Sequence, residues 1–558
     1  MIDILTVPLL TAPSTMFAAL SEGLQAFDYL VVVVYMLAVI GIGIYASRQQ
    51  KGGEDYFVAG RSMPWMAVGL SMVATLLSSI TYLGTPGELI EHGLGQSIGH
   101  LAAPFAYAVI TFVWLPFFMR MKMTSVYEYL ERRYGLVARW LGAGLFVFVL
   151  RLFWMAIIVH TSAQAVSVIT YDSVIRIAGV DWIQDTWTRI LIAAIGVFAT
   201  LYTMLGGIKA VIWTDVLQFV ALFLGAALTT VFIAYETGTG PVDWWNKLTA
   251  SQSLDDQFPP LASWDLAERT TVLWTCSSVF FWYVCTFACD QVAMQRFFST
   301  PSVGAAIRAS CANFVADMAI TVLLALCGMA LLTYYDMFPT DILGGKTDPR
   351  EVADHVFPHF IAHGLPVGIS GVVVAALFAV AMSSLDSGVN SVSTVITVDF
   401  IRRRNPNISS HQEVTIARVL TLVIGLGCTA LAYAIFELPK DQNIVSMTMR
   451  TFNCALGPLA TMFIVGMFLP HVGQAAIVIA TITGTLLTIL IAWWSELFAL
   501  VGIDVPSPSP FMVTPLAFML TFSLAALLGA LLPQPDYERV RSLTWRVVVF
   551  GDKGQSTD

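Results

Sequence analysis

Residues 71–88 read SMVATLLSSITYLGTPGE, and they lie in and beyond a predicted membrane span at 64–83. Four hydroxyl side chains (Thr75, Ser78, Ser79 and Thr81) precede a Gly-Thr-Pro-Gly sequence. Glycine and proline weaken a helix, so the pattern predicts a helix that unwinds midway and releases carbonyl oxygens for a cation. The alternative is a continuous helix whose hydroxyls bond back to its own carbonyls. The local sequence favours neither.

The rest of the chain has the composition of a helical membrane protein. Of its 558 residues, 57% are hydrophobic and 12% are charged, and the mean hydropathy is +0.76. Soluble domains carry about 25% charged residues. Apolar stretches of about 20 residues, the length of a helix that crosses the hydrocarbon core, recur along the whole sequence. The net charge of −9 argues against nucleic acid as a partner.

We therefore predict an all-α polytopic membrane protein with about thirteen transmembrane helices. The predicted spans are 28–47, 64–83, 97–119, 138–168, 188–205, 210–235, 271–294, 309–335, 366–398, 413–436, 443–469, 473–499 and 511–533. Most of the 28 lysines and arginines fall in alternate loops, and basic loops face the cytoplasm. This predicts a cell-membrane (inner or plasma membrane) protein with an extracytoplasmic N-terminal segment at 1–27, one transmembrane domain at 28–533 and a cytoplasmic tail at 534–558.

A polar stripe runs along the predicted span 366–398. Its members at 383, 387, 390, 394 and 397 repeat at steps of four and three, which places them on one face of a helix. We expect this face to meet the bundle interior or a water-filled path. Serine and threonine also join membrane helices by hydrogen bonds, so a structural role is the alternative.

Ionisable residues inside membrane spans mark functional or paired sites. Asp215 lies in the predicted span 210–235, where it needs a cation or a network of donors. Asp290 closes the span 271–294, where a solvated helix end is the alternative. Arg151 lies within an apolar helix and needs an anion. Its candidate partners in the protein are Asp290, Asp317 and Asp386. We favour a protein partner over the carboxylate of a solute.

The sequence does not favour an enzyme. It contains no nucleophile–base pair, metal cluster or cofactor motif at a spacing that would support catalysis. His355, His359 and His363 follow at intervals of four, but we expect Pro358 to interrupt a helix there. This disfavours a metal site.

Four segments in order resemble the sodium:solute symporter family. They are YFVAGRS at 56–62, GGIKAVIWTDVLQ at 206–218, DQVAMQR at 290–296 and AMSSLDSGVNS at 381–391. The resemblance spans about residues 28–470, and the joint order of the segments makes it specific.

The resemblance implies a leucine-transporter-like core of two five-helix inverted repeats, at 64–235 and 271–469, with solute and ion bound beside broken helices. It implies Na⁺ as the coupling ion and no other cofactor. The implied sodium ligands are the carbonyls of Ala74, Leu77 and Val380 and the hydroxyls of Ser383 and Ser384. Asp215 matches an aspartate that some members associate with a second sodium.

The implied function is secondary active transport, namely sodium-coupled symport of a small polar solute by alternating access, with no obligate protein partner. The sequence LGTPGE at 83–88 is similar to the branch that carries monocarboxylates, iodide and vitamins, and together with Arg151 it favours an organic anion. Sugar-transporting members place lysine at the position of Asp317 and glutamine at that of Thr81. An amino acid or a sugar is the alternative solute, and a uniporter or channel-like facilitator is the alternative of another class. The candidate substrate-binding residues are Ser78, Thr81, Arg151, Thr286 and Asp317.

Overall fold

The computed structural model describes residues 23–48, 52–180, 182–251, 259–263, 268–438, 444–500 and 502–551. The regular secondary structure of these residues is helical, apart from one isolated bridge between Leu343 and Lys346. The long helices are α1 (Ala26–Ser47), α2 (Trp65–Leu76), α3 (Ser79–His92), α4 (Ser97–Met121), α5 (Leu136–Ala178), α6 (Gln184–Thr237), α7 (Val272–Cys289), α8 (Gln291–Phe298), α9 (Val303–Met337), α10 (Ile369–Arg404), α11 (Ser410–Phe436), α12 (Ile444–Phe468), α13 (Gln474–Ala492) and α14 (Pro510–Leu531). Most of the predicted N-terminal segment, and the end of the predicted tail, lie outside the described residues.

The all-helical membrane fold is confirmed, whereas the number of spans stays a prediction. Eleven described helices are long and apolar enough to cross a membrane, and there are up to twelve spans if the bent pair α2–α3 is one. Helix α6 has 54 residues and contains Gly207 at φ 57°, between the predicted spans 188–205 and 210–235. Because Gly207 is not helical (ψ −164°), these residues form two helical segments that meet at a kink, and their summed length of about 81 Å at 1.5 Å per residue is enough for two crossings of the hydrocarbon core.

Of the two alternatives for the segment 71–88, the structure has the helix that unwinds. Helices α2 and α3 meet at an angle of 67°, and Leu77 and Ser78 between them have extended backbone. The Ser78 hydroxyl accepts a hydrogen bond from the Thr81 amide at 3.2 Å. A serine at this position caps a helix, so the chain starts a new helix here and does not continue the old one. The alternative of a continuous helix is wrong.

A second break lies at Asp290, where the sequence predicted one continuous span at 271–294. Asp290 has extended backbone (φ −84°, ψ 116°), and its carboxylate accepts from the Val292 amide at 2.9 Å. Aspartate is among the preferred N-cap residues, which explains why α8 begins here. Asp290 is fully buried, so the alternative of a solvated helix end is also wrong.

Helix α10 lies at the centre of the bundle and packs against α1, α2, α5, α6 and α11. All five positions of the predicted polar stripe are fully buried, as expected for a face that meets the bundle interior. They are Ser383, Ser387, Asn390, Thr394 and Thr397.

One end of the bundle, which we name the basic face, gathers arginines from three segments. It is defined by Arg61, Arg139, Arg402 and Arg403. Arg139 bonds to Asp399 at 2.7 Å and to Glu131 at 2.5 Å, and Arg403 bonds to Glu131 at 2.8 Å. Burial raises the pKa of Glu131, but the bonds from Arg139 and Arg403 outweigh this effect and lower it. This network joins the first turn of α5 to the end of α10.

Candidate functional site

The predicted sodium ligands meet where the end of α2 packs against α10. The Ser383 hydroxyl donates to the Ala74 carbonyl at 2.8 Å and to the Val380 carbonyl at 3.0 Å. Ala74 and Val380 are fully buried. Leu77, the third predicted carbonyl ligand, follows directly after α2. The structure therefore brings Ser383 together with Ala74 and Val380 beside the first break, and the role of the set in binding sodium stays a prediction.

The fifth predicted ligand, Ser384, lies one residue further along α10. Its hydroxyl donates to the Thr75 carbonyl at 3.4 Å. The polar groups of the predicted sodium site are neutral carbonyl and hydroxyl oxygens. These are the hard ligands that alkali and alkaline-earth cations prefer. Each serine hydroxyl donates to a carbonyl, so several oxygens already lie close together. A cation bound among these oxygens would replace the hydrogen bonds between them. The residues present fit a sodium ion.

A buried ion pair adjoins this point on the side of the basic face. Asp215 accepts hydrogen bonds from Ser71 at 2.6 Å, from Thr75 at 3.2 Å and from Arg296 at 2.9 Å. Arg296 also bonds to Ser387 and to Ser71. Thr75 therefore connects the predicted sodium site to the Asp215–Arg296 pair, because its carbonyl accepts from Ser384 and its hydroxyl donates to Asp215. The Asp215 carboxylate therefore has both a cation, the Arg296 guanidinium, and hydroxyl donors, those of Ser71 and Thr75, as its partners.

The two glutamines of α8 attach it to its neighbours. Gln291 donates to the Thr124 carbonyl at 2.9 Å. Gln295 donates to the Phe57 carbonyl at 2.7 Å, and to Asn390 and Thr394 at 3.1 Å each. Three positions of the polar stripe, Ser387, Asn390 and Thr394, thus bond to α8, whereas the Ser383 end faces the first break.

Arg151 finds its partner at the second break. It lies in a π-helical turn of α5 and forms an ion pair with Asp290. The guanidinium lies 5.7 Å from the ring of Phe146 and 5.8 Å from that of Phe452. It is 7% exposed, and its Nε–H has no acceptor among the described residues. The expectation of a protein partner is confirmed, and one donor is left for another acceptor.

Asp317 lies in a separate polar cluster between α4, α7 and α9. It accepts hydrogen bonds from Tyr107 at 3.1 Å and from Tyr283 at 2.5 Å. Asn313 donates to Tyr107 at 3.0 Å. Within the described chain, Asn313 Oδ1 and His100 Nδ1 are buried without a partner. The structure thus does not pair Asp317 with Arg151. The cluster has two buried polar atoms, Asn313 Oδ1 and His100 Nδ1, that could accept further hydrogen bonds.

The remaining candidates lie at the two breaks. Ser78 bonds to the Thr81 hydroxyl at 3.1 Å as well as to its amide, so both side chains take part in the cap of α3. Thr286 lies one turn before Asp290 and is buried, and its hydroxyl has no partner in the described part of the chain. Thr286 is therefore the better placed of these residues to contact a solute near Arg151.

Sequence reasoning considered Asp386 only as a partner for Arg151, and that interpretation is wrong. Asp386 accepts from Tyr202 at 2.5 Å and from Ser387 at 3.0 Å, because it lies on the side of α10 that packs against α6. Arg296 and Asp386 both stood in the motifs that carry the resemblance. The tyrosines around Asp317 gave no local signal, since they belong to separate helices.

The three histidines at 355, 359 and 363 lie in one helix. Contrary to expectation, Pro358 lies inside the helix Ala353–His363. His359 bonds to Tyr335 at 2.6 Å and stacks on His363. Burial lowers the pKa of His359 to about 4. Over the described residues, no group of three or more His, Cys, Asp or Glu side chains is placed to hold a metal ion.

Comparisons with known proteins agree with this geometry. The model of the sodium:solute symporter family matches residues 56–484. A sodium/sialic acid symporter of Aliivibrio fischeri is 29% identical over 456 residues, which are 80% of this chain and 84% of that protein. Sodium-coupled monocarboxylate transporter 2 of Danio rerio is 27% identical over 496 residues, 87% of this chain and 73% of that protein. The solved structure of a Na⁺-coupled sialic acid symporter in a substrate-bound outward-open state has a TM-score of 0.77 and 26% identity, and covers 92% of this chain and 99% of its own.

Proposed function

This chain belongs to the sodium:solute symporter family, and we propose that it couples sodium entry to the uptake of a small organic anion that bears a carboxylate. The observation that carries the choice of solute is the Arg151 guanidinium at the second break, whose Nε–H has no acceptor within the described chain. A carboxylate accepts well from such a donor, and charge-assisted hydrogen bonds of this kind are stronger than neutral ones.

Sodium is proposed to bind where α2 ends against α10, with the five oxygens predicted from the sequence as its ligands. The contact of Ser383 with Ala74 supports this placement. Sodium there joins α2 to α10 and favours the state that accepts solute, and its loss to the cytoplasm releases the solute. One charge that crosses 100 mV supplies about 2.3 kcal/mol, and a tenfold gradient adds about 1.4 kcal/mol. Together these support accumulation of several hundredfold.

The nature of the solute follows from the polar groups near the breaks. Arg151 is proposed to bind the carboxylate, with Thr286 as a neighbouring donor or acceptor. Asp317 and Asn313 offer acceptors to a hydroxyl or amine on the same molecule. Sialic acid and monocarboxylates, the solutes named for the relatives, both carry a carboxylate. Neither relative favours an amino acid or a neutral sugar.

The basic face is proposed to lie in the cytoplasm, since basic loops are retained on that side. The first break and the Arg151–Asp290 pair then lie within the bundle, between the basic face and the outer ends of α3 and α7. Alternating access requires the contacts of α8 at the basic face to open when the solute leaves.

Uptake into proteoliposomes tests this function. The purified full-length chain is reconstituted, an inward Na⁺ gradient is applied, and labelled sialic acid and short monocarboxylates are compared with neutral sugars and amino acids. We expect accumulation of a carboxylate that collapses when K⁺ replaces Na⁺, and that is lost in Arg151→Gln. Uptake that equilibrates without accumulation, and is indifferent to Na⁺, would instead indicate a facilitator. Accumulation of a neutral solute that Arg151→Gln leaves unchanged would refute the proposed role of Arg151.

A further inference from the structure

A groove opens at the surface of the bundle beside the kink of α6, at the level of the basic face. Its volume is about 430 Å³, which lies in the range of about 300–1,000 Å³ for ligand sites in proteins. It lies between the end of α1, the segment that leads from Arg61 into α2, and the part of α6 that follows Gly207. Its walls include Tyr45 and Ala46 of α1, Met63 and Pro64 before α2, and Lys209 and Trp213 of α6.

The groove lies directly beside a close contact between α1 and α6. A Cβ atom placed on Gly43 would lie 3.2 Å from the Cβ of Tyr202, and one placed on Gly206 would lie 3.3 Å from the Gly43 carbonyl oxygen. Small residues allow membrane helices to approach this closely. Immediately after this contact α6 kinks at Gly207, which has φ 57° and ψ −164°. The groove follows the kink, on the side of α6 that faces the end of α1.

The α6 wall of the groove comes from the segment GGIKAVIWTDVLQ at 206–218, whose buried positions include Asp215. Lys209 and Trp213 are four residues apart and therefore share one face of the helix. Trp213 lies about 200° around the helix from Asp215, so this face points away from the buried ion pair. Lys209 is half-buried and Trp213 is 41% exposed. Neither side chain has a role in the proposed sodium and solute sites.

The charge of the groove is positive. Lys209 is the charged side chain among the described residues that line it. Arg61 lies next to the groove in sequence, but its guanidinium donates to the Met123 and Phe298 carbonyls at 2.9 Å and 3.3 Å. Arg61 therefore bonds within the protein. An occupant of the groove should carry an anionic group for Lys209.

The rest of the groove is suited to the boundary between lipid headgroups and acyl chains. Tyr45, which is 69% exposed, and Trp213 are aromatic residues with a polar end, the type enriched at membrane–water interfaces. From Tyr45 an exposed apolar stripe runs back along α1, which is long and apolar enough to cross a membrane. Its members are Leu30, Val33, Val34, Leu37 and Ile44. In a membrane this stripe faces acyl chains.

We propose that this groove binds an anionic phospholipid, with the headgroup phosphate at Lys209 and the acyl chains along the stripe of α1. The rings of Tyr45 and Trp213 pack against the glycerol region between them. Basic pockets between membrane helices on the cytoplasmic side bind lipid headgroups in this way, and the basic face is the end proposed to lie there. The lipid contacts α1, the segment before α2 and α6 at once, so it stabilises the contact of α1 with the kink of α6.

Lipid titration of the purified full-length chain tests this site. In neutral detergent, without sodium or solute, thermal unfolding is measured against phosphatidylglycerol, phosphatidylcholine and soluble glycerol phosphate. Lys209→Gln removes the charge of the groove, and Trp213→Leu removes its aromatic wall. Lys122→Gln is the matched control, because Lys122 is an exposed lysine directly after α4, beside the Met123 carbonyl that Arg61 binds, and its loss changes the net charge equally.

We expect saturable stabilisation of wild type and of Lys122→Gln by phosphatidylglycerol, and much less by the other two ligands. The half-saturating concentration should be about fivefold higher in Lys209→Gln, the contribution of one lysine beside an anionic headgroup. Trp213→Leu should also raise it. A second measurement needs no variant: photoactivatable phosphatidylglycerol is cross-linked to wild type, and the label should map to the end of α1 and to the part of α6 after Gly207.

Equal stabilisation by phosphatidylglycerol and phosphatidylcholine, or a wild-type response in Lys209→Gln, would overturn the proposal. Glycerol phosphate that acts as strongly as the lipid would also overturn it, since the site would then bind a free anion. Label found only outside these two helices would do the same, even if a variant failed to fold. None of these measurements involves sodium or a solute, so failure here is distinct from failure of the proposed function.

Discussion

The Arg151–Asp290 pair allows the proposed solute chemistry to be tested by changing one charge. In Asp290→Asn the cap of α8 is kept, because asparagine caps as well as aspartate. The guanidinium of Arg151, only 7% exposed, is left without its anion. Removing one partner of a buried pair costs about 3–5 kcal/mol, so the variant without solute should unfold at a clearly lower temperature than wild type.

A solute carboxylate should reverse this loss if it binds Arg151. If it recovers about 2 kcal/mol of the cost, its affinity rises about thirtyfold, since 1.4 kcal/mol is a factor of ten. The assay is thermal unfolding of the purified protein in NaCl, titrated with the carboxylate that gives uptake. The double variant Arg151→Gln/Asp290→Asn, which has no buried charge, should regain stability and lose solute binding.

The result that would refute this reasoning is a stable Asp290→Asn protein whose solute affinity equals that of wild type. Loss of stability that no carboxylate restores would show that the pair is purely structural. Because the two residues share one interaction, the double-mutant cycle reports their coupling directly.

Two further predictions concern regions away from the breaks. Asp399→Asn should destabilise the protein by about 1.5–3 kcal/mol, the range for a hydrogen bond to a charged group. The loss should stay within this range because Arg139 keeps Glu131 as a second partner. An unchanged unfolding temperature would contradict this prediction. Acidification should destabilise the helix Ala353–His363, because the pKa of His359 falls from about 6.5 in the unfolded chain to about 4 in the folded one. The unfolded state then binds more protons between these values, so stability is lost as pH falls from about 6.5 toward 4. Thermal unfolding of His359→Gln should show a weaker pH dependence than the control His355→Gln, and equal slopes would contradict the assignment.

The helices could be predicted because their signal is local, since apolar length sets the position of a membrane helix. The first break was only one of two alternatives that the sequence left open. The chain breaks at Leu77 and Ser78, whereas Gly84, Pro86 and Gly87 lie inside α3. Asp290 carries a weaker local signal, since aspartate is a preferred N-cap residue. It was missed because the apolar residues on both sides predicted one uninterrupted span.

The partners of the buried charges could not be predicted in the same way. Arg151 and Asp290 are far apart in sequence, and three aspartates were equally suitable by composition. Which of them faces Arg151 depends on how α5 packs against α7 and α8, and no periodicity reports that packing. The same holds for Asp317, whose two tyrosine donors come from α4 and α7.

The central claim, sodium binding between α2 and α10, is tested most directly by ion-specific stabilisation of the purified full-length chain. Thermal unfolding is measured over a range of NaCl and KCl for wild type, Ser383→Ala/Ser384→Ala and Ser393→Ala. Ser393 is the control, since it is a buried α10 serine outside the predicted ligand set, whose hydroxyl donates to the Asn390 carbonyl and accepts from Thr421 of α11. We predict saturable stabilisation by Na⁺ but not by K⁺ in wild type and in Ser393→Ala, and a much reduced response in the double variant. Equal effects of Na⁺ and K⁺, with the double variant behaving as wild type, would contradict the account.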